Sequence, residues 1–146
     1  MSAIPTFGEQ VPGQKYLDRP SAYVILRQGP RIAIVRTPLA TYLPGGGQDP
    51  GESPERAAVR EVAEECGLRA ELLDRLGTAN QYVYSEEEGK FFLKQSTFFR
   101  ARVIGTALAV EPDHETLWVT PEEAQRQLSH ESHRWAVAEE HSRRTS

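Results

Sequence analysis

The sequence predicts an α/β domain in which a mixed β-sheet packs between helices, as an α/β/α sandwich. Two observations carry this prediction. Runs of β-branched and aromatic residues follow one another across turn residues, and three helical segments are interspersed among them. The chain of 146 residues is expected to form one domain over residues 1–146, because this length suffices for a hydrophobic core and no linker or repeat divides it.

Several runs have the composition of strands and are bounded by turn residues. The predicted strands are residues 21–27, 31–37, 70–76, 78–84, 90–103 and 115–119. Gln28-Gly29-Pro30 indicates a hairpin turn between the first two strands. Residues 1–19 are mostly polar and broken by glycine and proline, so we expect an irregular N-terminal lead-in with a short edge strand near residues 14–17.

A helix of about three turns is predicted directly after a glycine-rich loop. Ser53 is a favourable N-cap, Pro54 fits the first helical position, and Gly67 ends the helix as its C′ residue. Apolar residues at helical spacing predict the face that packs on the core. That predicted face consists of Val59, Val62, Ala63 and Cys66.

Two further helices close the chain. Residues 121–128 begin after Thr120, which stands in a capping-box relation to Glu123. The last helix is predicted over residues 131–140. His130 and His133 lie at its start without a third ligand or a cysteine nearby, so we interpret them as surface residues rather than a metal pair.

The helix predicted between Ser53 and Gly67 carries a cluster of carboxylates. Glu61, Glu64 and Glu65 lie on one face because each helical residue turns by about 100°. Arg60 stands at the edge of that face. Such a cluster is either a solvated acidic surface or a site for a hard cation such as Mg²⁺. The preceding Gly45–Gly47 lets the backbone approach a ligand closely, which favours the cation site.

These residues identify the chain as resembling the Nudix hydrolase family, of the MutT-like kind. The signature of that family is G-x5-E-x7-R-E-U-x-E-E-x-G-U, where U is a bulky aliphatic residue. Every specified position is matched, from Gly46 to Leu68. The matching residues are Gly46, Glu52, Arg60, Glu61, Val62, Glu64, Glu65, Gly67 and Leu68.

The resemblance implies a fold and an activity. The fold would be a mixed sheet between helices, and the reaction would cleave the pyrophosphate bond of a nucleoside diphosphate linked to another group. The resemblance also implies Mg²⁺ as cofactor, with Mn²⁺ as a possible substitute. Glu61, Glu64 and Glu65 would be its ligands, together with the backbone carbonyl of Gly45, and Arg60 would orient the carboxylates.

Other residues are assigned supporting roles. Gly46 opens the signature, and Glu52 would join the network of Arg60, unless it serves only the electrostatics of the helix start. The general base in this family is a glutamate of the signature or of a later segment. Glu115 is our candidate for the later one, with a surface charge at a strand end as the alternative.

The sequence indicates the substrate only weakly. A family heuristic places a tyrosine 16–18 residues after the signature in dinucleoside polyphosphate hydrolases, and Tyr84 lies at that distance. Tyr82 and Tyr84 are therefore candidate substrate contacts, although strands favour aromatic residues anyway. Arg36 and Lys94 could reach phosphates but are not distinguished from surface charges. Nucleoside triphosphates, dinucleoside polyphosphates and nucleotide sugars all stay open as substrates.

Composition excludes several other classes. The net charge of −4 offers no basic surface for nucleic acid, and no apolar run is long enough to span a membrane. The chain has a single cysteine, and without a signal-peptide pattern we expect a cytoplasmic protein, with homodimer formation left open. A non-catalytic module that binds a nucleotide or a protein is the alternative class. It is disfavoured because no signature glutamate is missing.

Overall fold

The computed structural model describes residues 4–109 and 111–145. Its strands are β1 (Thr6–Phe7), β2 (Leu17–Gln28), β3 (Arg31–Arg36), β4 (Thr41–Tyr42), β5 (Gly45–Gly47), β6 (Leu68–Ser85), β7 (Lys90–Thr106) and β8 (Glu115–Val119). Its helices are α1 (Pro54–Cys66), α2 (Pro121–Gln127) and α3 (Glu131–Thr145). Across the described ranges, none of the helices combines the length and the apolar content that crossing a bilayer requires.

Strand β2 organises the sheet. It runs parallel to β7 and antiparallel to β3 and β5. The main strand order is β1-β6-β7-β2-β3-β4, with β5 added beside β2 and β8 beside β3. Because parallel and antiparallel pairs occur together, the predicted mixed sheet is confirmed.

Two hydrophobic cores lie on opposite faces of this sheet. Successive side chains of a strand point to opposite faces. Tyr23 and Ile25 of β2 pack in a cluster with residues of α2 and α3, whereas Val24 and Leu26 pack in a second cluster with α1. Burial on both faces makes this stretch of β2 continuously apolar. The α/β/α sandwich is therefore confirmed.

The prediction of separate strands at residues 70–76 and 78–84 is wrong. Both belong to β6, which pairs antiparallel with β7 along its whole length. Register shifts interrupt the pairing near Leu72 and between Arg75 and Gly77, where Gly77 has a φ of 147°. The glycine therefore forms an irregularity within one strand, because the neighbouring β7 continues past it and keeps both halves in the sheet.

The N-terminal segment also differs from the expectation. Residues 14–16 are not in a strand, and Leu17 instead begins β2. Thr6 and Phe7 form β1 and pair in parallel with Asn80 and Gln81 of β6. The lead-in thus covers an edge of the sheet, a pairing that depends on a strand more than 70 residues away. Residues 1–3 of the predicted lead-in lie outside the described residues.

Helix α1 begins and ends as predicted. The Ser53 side chain accepts a hydrogen bond from the backbone N–H of Arg56 at 3.1 Å. Gly67 adopts a left-handed φ of 66° and donates its N–H to the carbonyl of Ala63 at 3.0 Å. The signature helix therefore has defined ends, which fixes where its glutamates stand.

The packed face of α1 is only partly the predicted one. Val62 is fully buried, but Val59 is 38% exposed, and Ala57 and Ala58 are buried instead. Cys66 is half-buried against the same core, and burial raises the pKa of its thiol to about 11. Helix α1 is therefore rotated about its axis relative to the prediction, so that small residues face the sheet. In this orientation the face that carries the glutamates is partly buried.

The closing helices agree with the sequence except at their ends. The capping box between Thr120 and Glu123 is present at the start of α2. Helix α3 continues to Thr145, beyond the predicted residue 140. Together these helices cover the sheet face opposite α1.

Candidate active site

The site lies where the glycine strand β5 passes α1. Strand β5 pairs with residues 21–23 of β2, so its position is fixed by the centre of the sheet. A Cβ atom on Gly46 would stand 2.8 Å from the carboxyl carbon of Glu61, closer than real Cβ atoms come to such a neighbour. Glycine at position 46 therefore allows the carboxylate of Glu61 to lie against the backbone.

Arg60 is the centre of an ion-pair network. Its Nε donates to Glu52 at 2.8 Å, and its Nη2 donates to the second oxygen of Glu52 at 2.9 Å. Its Nη1 donates to Glu61 at 2.8 Å and to Glu64 at 3.2 Å. The carbonyl of Gly47 accepts a further hydrogen bond at 3.0 Å. One guanidinium thus joins the loop to the helix, and its hydrogen bonds hold the pKa of Glu52 at about 2.

Glu65 lies deepest in the cluster. Its side chain is 11% exposed, compared with 16% for Glu61 and 30% for Glu64. The backbone N–H of Gly45 donates to Oε1 of Glu65 at 3.0 Å. Nε2 of His114 lies 3.7 Å from Oε2. The solvated acidic face that the sequence left open is therefore not what forms.

The burial of these carboxylates makes their ionised forms costly. Burial raises the pKa of Glu61 to about 6 and that of Glu65 to about 8. The hydrogen bonds from Arg60 and Gly45 act in the opposite direction and are too weak to cancel it. The carboxylates of the cluster therefore have too little positive charge around them to favour their ionised forms fully.

This shortage of positive charge fits a divalent cation. Mg²⁺ prefers carboxylate oxygens, and Glu61, Glu64 and Glu65 supply them within little more than one helical turn. In the described residues, no group of three or more histidine, cysteine, aspartate or glutamate side chains converges as a ready metal site. Arg60 and the N–H of Gly45 hold the carboxylates instead. The carboxylate oxygens of the cluster are the type of ligand that Mg²⁺ prefers, and the charge of the ion would favour their ionised state.

Two glutamates near the start of β8, Glu111 and Glu115, lie in different surroundings. Glu115 is 64% exposed on its side chain and pairs with Arg36 at 3.8 Å, away from the cavity at the cluster. Glu111 lies closer, on the loop before β8, and it contributes to the raised pKa of both Glu61 and Glu65. Its backbone N–H donates to the carbonyl of Glu64 at 3.1 Å. The structure therefore brings Glu111, and not Glu115, to the signature glutamates.

Two cavities meet beside the cluster. The smaller, of about 230 Å³, is lined by the glycine strand together with Glu61, Glu65 and His114. The larger, of about 310 Å³, which we call the aromatic cavity, is lined by Tyr42, Tyr84 and Phe92 and also by the carboxylates of the β6–β7 turn, Glu86, Glu87 and Glu88. Three side chains line both cavities, namely Arg19, Tyr42 and Lys94. The carboxylates thus adjoin a space that can hold an organic group.

Of the two tyrosines predicted to contact the substrate, one lines the larger cavity and the other does not. Tyr84 is 54% exposed, lines the larger cavity and packs near Phe91 with ring centroids 4.9 Å apart. Tyr82 instead packs edge-on against Tyr16 at 4.9 Å and is absent from the cavity wall. The structure therefore places Tyr84, but not Tyr82, beside the candidate substrate space.

The interpretation of His133 as a surface residue is wrong. It is 1% exposed, and its Nδ1 accepts a hydrogen bond from the backbone N–H of Leu43 at 3.1 Å. Burial lowers its pKa well below the usual range and lowers that of His130 to about 4. His133 thus holds the chain just ahead of the glycine strand. A hydrogen bond across 90 residues leaves no trace in local sequence spacing.

Sequence reasoning also missed Arg19 and His114. Arg19 lies over the ring of Phe92 at 3.8 Å and binds Glu88 through two hydrogen bonds, of 2.8 and 3.2 Å. His114 reaches the site because the loop before β8 is tied to α1. The only signal for either was a polar residue next to a predicted strand.

Two known proteins have sequences similar to this chain. A protein from Bacillus subtilis named "Putative 8-oxo-dGTP diphosphatase" is 39% identical over 102 residues, which cover 67% of this chain and 63% of that protein. An RNA pyrophosphohydrolase from Erythrobacter litoralis is 34% identical over 103 residues, covering 60% and 63% respectively. The chain thus spans less than two thirds of the length of either relative.

A solved structure shows the same fold. The crystal structure of the MutT protein from Methanosarcina mazei superposes with a TM-score of 0.70 at 21% identity, over 92% of this chain and 99% of that one. A family model described as the NUDIX domain matches residues 17–139. That span runs from the start of β2 into α3 and includes the whole carboxylate helix. The chain therefore belongs to the NUDIX domain family.

Proposed function

We propose that this chain is a metal-dependent pyrophosphohydrolase that cleaves nucleoside diphosphates linked to a further group, with nucleoside triphosphates as its main substrates. One observation carries the proposal. Glu61 and Glu65 line a cavity that shares its wall with a second, larger cavity, while Arg60 holds Glu61 and Glu64 and the N–H of Gly45 holds Glu65. Phosphates and an organic group can therefore be held side by side.

The cofactor proposed is Mg²⁺, with Mn²⁺ as a substitute. Glu61, Glu64, Glu65 and the carbonyl of Gly45 would hold it. When bound, the ion polarises phosphoryl oxygens and lowers the pKa of water. Arg60 keeps the carboxylates in place from the loop side, since its guanidinium also binds Glu52 and the carbonyl of Gly47.

A carboxylate must also accept the proton of the attacking water. We favour Glu111 over Glu115, because its backbone N–H donates to the carbonyl of Glu64 and it contributes to the raised pKa of Glu61 and Glu65. Glu115 was the candidate from the sequence, but it is paired with Arg36. We therefore propose Glu111 as the general base and retain Glu115 as the comparison variant.

The relatives guide the choice of substrate. The Bacillus subtilis relative is named for 8-oxo-dGTP, and the Erythrobacter litoralis relative is named for RNA. Both names describe a phosphate chain attached to a nucleoside. The cavity wall offers Tyr42 and Tyr84 for stacking on a base. We therefore propose 8-oxo-dGTP as the first substrate to test.

The test separates substrates by their products. The protein is incubated with 8-oxo-dGTP, unmodified nucleoside triphosphates, a dinucleoside polyphosphate and a nucleotide sugar, in Mg²⁺, in Mn²⁺ and in EDTA. We expect 8-oxo-dGTP to give the monophosphate and pyrophosphate only when metal is present, as resolved by anion-exchange chromatography. Metal-independent product, or no product from any compound while nucleotide still binds, would contradict the proposal and favour a binding module.

A further inference from the structure

Lys94 occupies the junction between the two cavities. It lies on β7, where it pairs with Arg19 of β2. Its side chain is half-buried, with Nζ 3.4 Å from the hydroxyl of Tyr23 and 5.6 Å from the centre of the Tyr42 ring. The side chain thus lines the carboxylate cavity and the aromatic cavity together.

The charge of Lys94 has no close anionic partner. Within residues 4–109 and 111–145, no carboxylate oxygen pairs with its Nζ within 4.0 Å. Glu88 interacts with Lys94 at longer range, but its carboxylate is bound by both Nη atoms of Arg19. The aromatic ring and the hydroxyl are therefore the neighbours that stabilise this ammonium.

A cation withdrawn from water is stabilised best by an anion. The groups nearest to Nζ are the Tyr23 hydroxyl and the Tyr42 ring, and the cross-strand neighbour is the cation Arg19. An incoming anion would therefore gain a favourable partner without displacing an ion pair of Lys94. The carboxylates of Glu61 and Glu65 repel an anion that enters the cavity beside them. The positive charge of Lys94 offsets part of that repulsion for a phosphate group that reaches it.

The position of Lys94 also determines which phosphate it meets. A pyrophosphate bound at the carboxylates would pass Lys94 before its organic group entered the larger cavity, because Lys94 lines both cavities. The phosphate next to the organic group would therefore lie nearest to Nζ. Beyond it, Tyr42 and Tyr84 line the space for the base, whereas Arg19 covers the Phe92 ring.

We propose that Lys94 binds the phosphate esterified to the nucleoside and thereby directs the base into the larger cavity, which Tyr42 and Tyr84 line. This inference rests on the proposed function, since it assumes a nucleotide substrate. Lys94 thus fixes the orientation of the substrate, and it presents the next anhydride bond to the carboxylates.

Binding without metal tests this role independently of catalysis. The affinities for dGMP and for deoxyguanosine are measured by calorimetry in EDTA, for the wild type and for Lys94→Gln. We expect the variant to bind dGMP about 10- to 100-fold more weakly, because a charge-assisted hydrogen bond is lost. Its affinity for deoxyguanosine should stay within about twofold, because the nucleoside lacks the phosphate.

Two controls isolate the charge at this position. Lys90→Gln removes a lysine from the exposed start of the same strand and should leave dGMP binding unchanged. Lys94→Arg keeps a positive charge and should recover most of the affinity. Circular dichroism melting shows whether each variant is folded under the assay conditions.

The outcomes separate this inference from the proposed activity. Lysine-dependent binding of dGMP supports the role of Lys94 even if no compound is hydrolysed. Equal affinity of the wild type and Lys94→Gln for dGMP would overturn it, even if 8-oxo-dGTP is a good substrate. Failure of the wild type to bind dGMP in EDTA, or equal weakening for dGMP and deoxyguanosine, would also overturn it.

Discussion

The carboxyl carbon of Glu61 lies 2.8 Å from the point where a Cβ would stand on Gly46. The oxygens of Glu61 are equally close to that point, at 2.9 and 3.1 Å. The neighbouring side of this carboxylate is held by Arg60 at 2.8 Å. The carboxylate of Glu61 therefore lies between the backbone of Gly46 and the guanidinium of Arg60, and these two neighbours fix its position.

Gly46→Ala should reduce catalysis more than stability. The added methyl group forces the Glu61 carboxylate to move, whereas the extended backbone of a short strand accepts alanine. We expect kcat/KM for 8-oxo-dGTP to fall roughly 100-fold, as is typical when a catalytic group is displaced by about an ångström. Steady-state kinetics beside a thermal melt checks this. An alanine variant with normal turnover would show that the close approach has no functional role.

Glu65→Gln should abolish most activity while the protein stays folded. We expect at least a 100-fold loss, since even groups that only orient metal ligands contribute about 10- to 100-fold. The pKa of Glu65 is raised to about 8, so its ionisation destabilises the metal-free fold as pH rises from about 4.5 through 8. The variant should therefore lose less stability than the wild type over that window in EDTA.

Urea unfolding at a series of pH values measures this difference. Addition of Mg²⁺ should stabilise the wild type most at the alkaline end of the window, where Glu65 would otherwise carry an uncompensated charge. The same addition should stabilise Glu65→Gln much less. An identical Mg²⁺ effect on both proteins would remove Glu65 from the set of ligands.

A pair of aspartate substitutions tests how α1 packs. Val62→Asp places a charge in a fully buried position and should prevent folding or destabilise it severely. Val59→Asp makes the same chemical change three residues earlier, where the side chain is 38% exposed, and should be tolerated. Circular dichroism spectra and melting temperatures distinguish the two. Equal damage from both substitutions would contradict the packing described.

His133→Asn should make the protein less sensitive to acid. His133 is buried and its pKa is lowered well below the usual range, so the unfolded state takes up a proton first. Stability is therefore full above about pH 6.5 and falls below it, by up to about 1.4 kcal/mol per pH unit for one proton. Asparagine can still accept from the Leu43 N–H, and it does not titrate.

Urea unfolding of wild type and variant between pH 7.5 and 5, spaced by about half a unit, gives the comparison. The wild type should lose more stability than His133→Asn over this range. Parallel curves would mean that His133 takes up no extra proton on unfolding. The buried position and the hydrogen bond to Leu43 would then need another explanation.

Glu111→Gln and Glu115→Gln compare the two candidate bases. Glu111 interacts with the signature carboxylates, whereas Glu115 pairs with Arg36 on the surface. Loss of a general base typically costs about 100- to 10,000-fold in rate and removes the acidic limb of the pH–rate profile. We expect this for Glu111→Gln only. The reverse result would restore Glu115 to the role first assigned from the sequence.

The sequence alone determined the helix that carries the site. Ser53 and Gly67 fix its ends through contacts a few residues away, and helical spacing then places Glu61, Glu64 and Glu65 together. A mixed sheet between helices was also predicted correctly, because most of its strands and helices have a local signature. Such features depend on neighbours within a turn or a hairpin, which the linear sequence displays directly.

Tertiary structure decided the surroundings of that helix. The Leu43–His133 hydrogen bond, the placement of Lys94 between two cavities and the choice of Glu111 over Glu115 all join distant segments. Strand order and register set these contacts, and a difference of one residue moves a side chain to the other face of the sheet. The sequence therefore specified the carboxylates, and packing specified how deeply they are buried and what faces them.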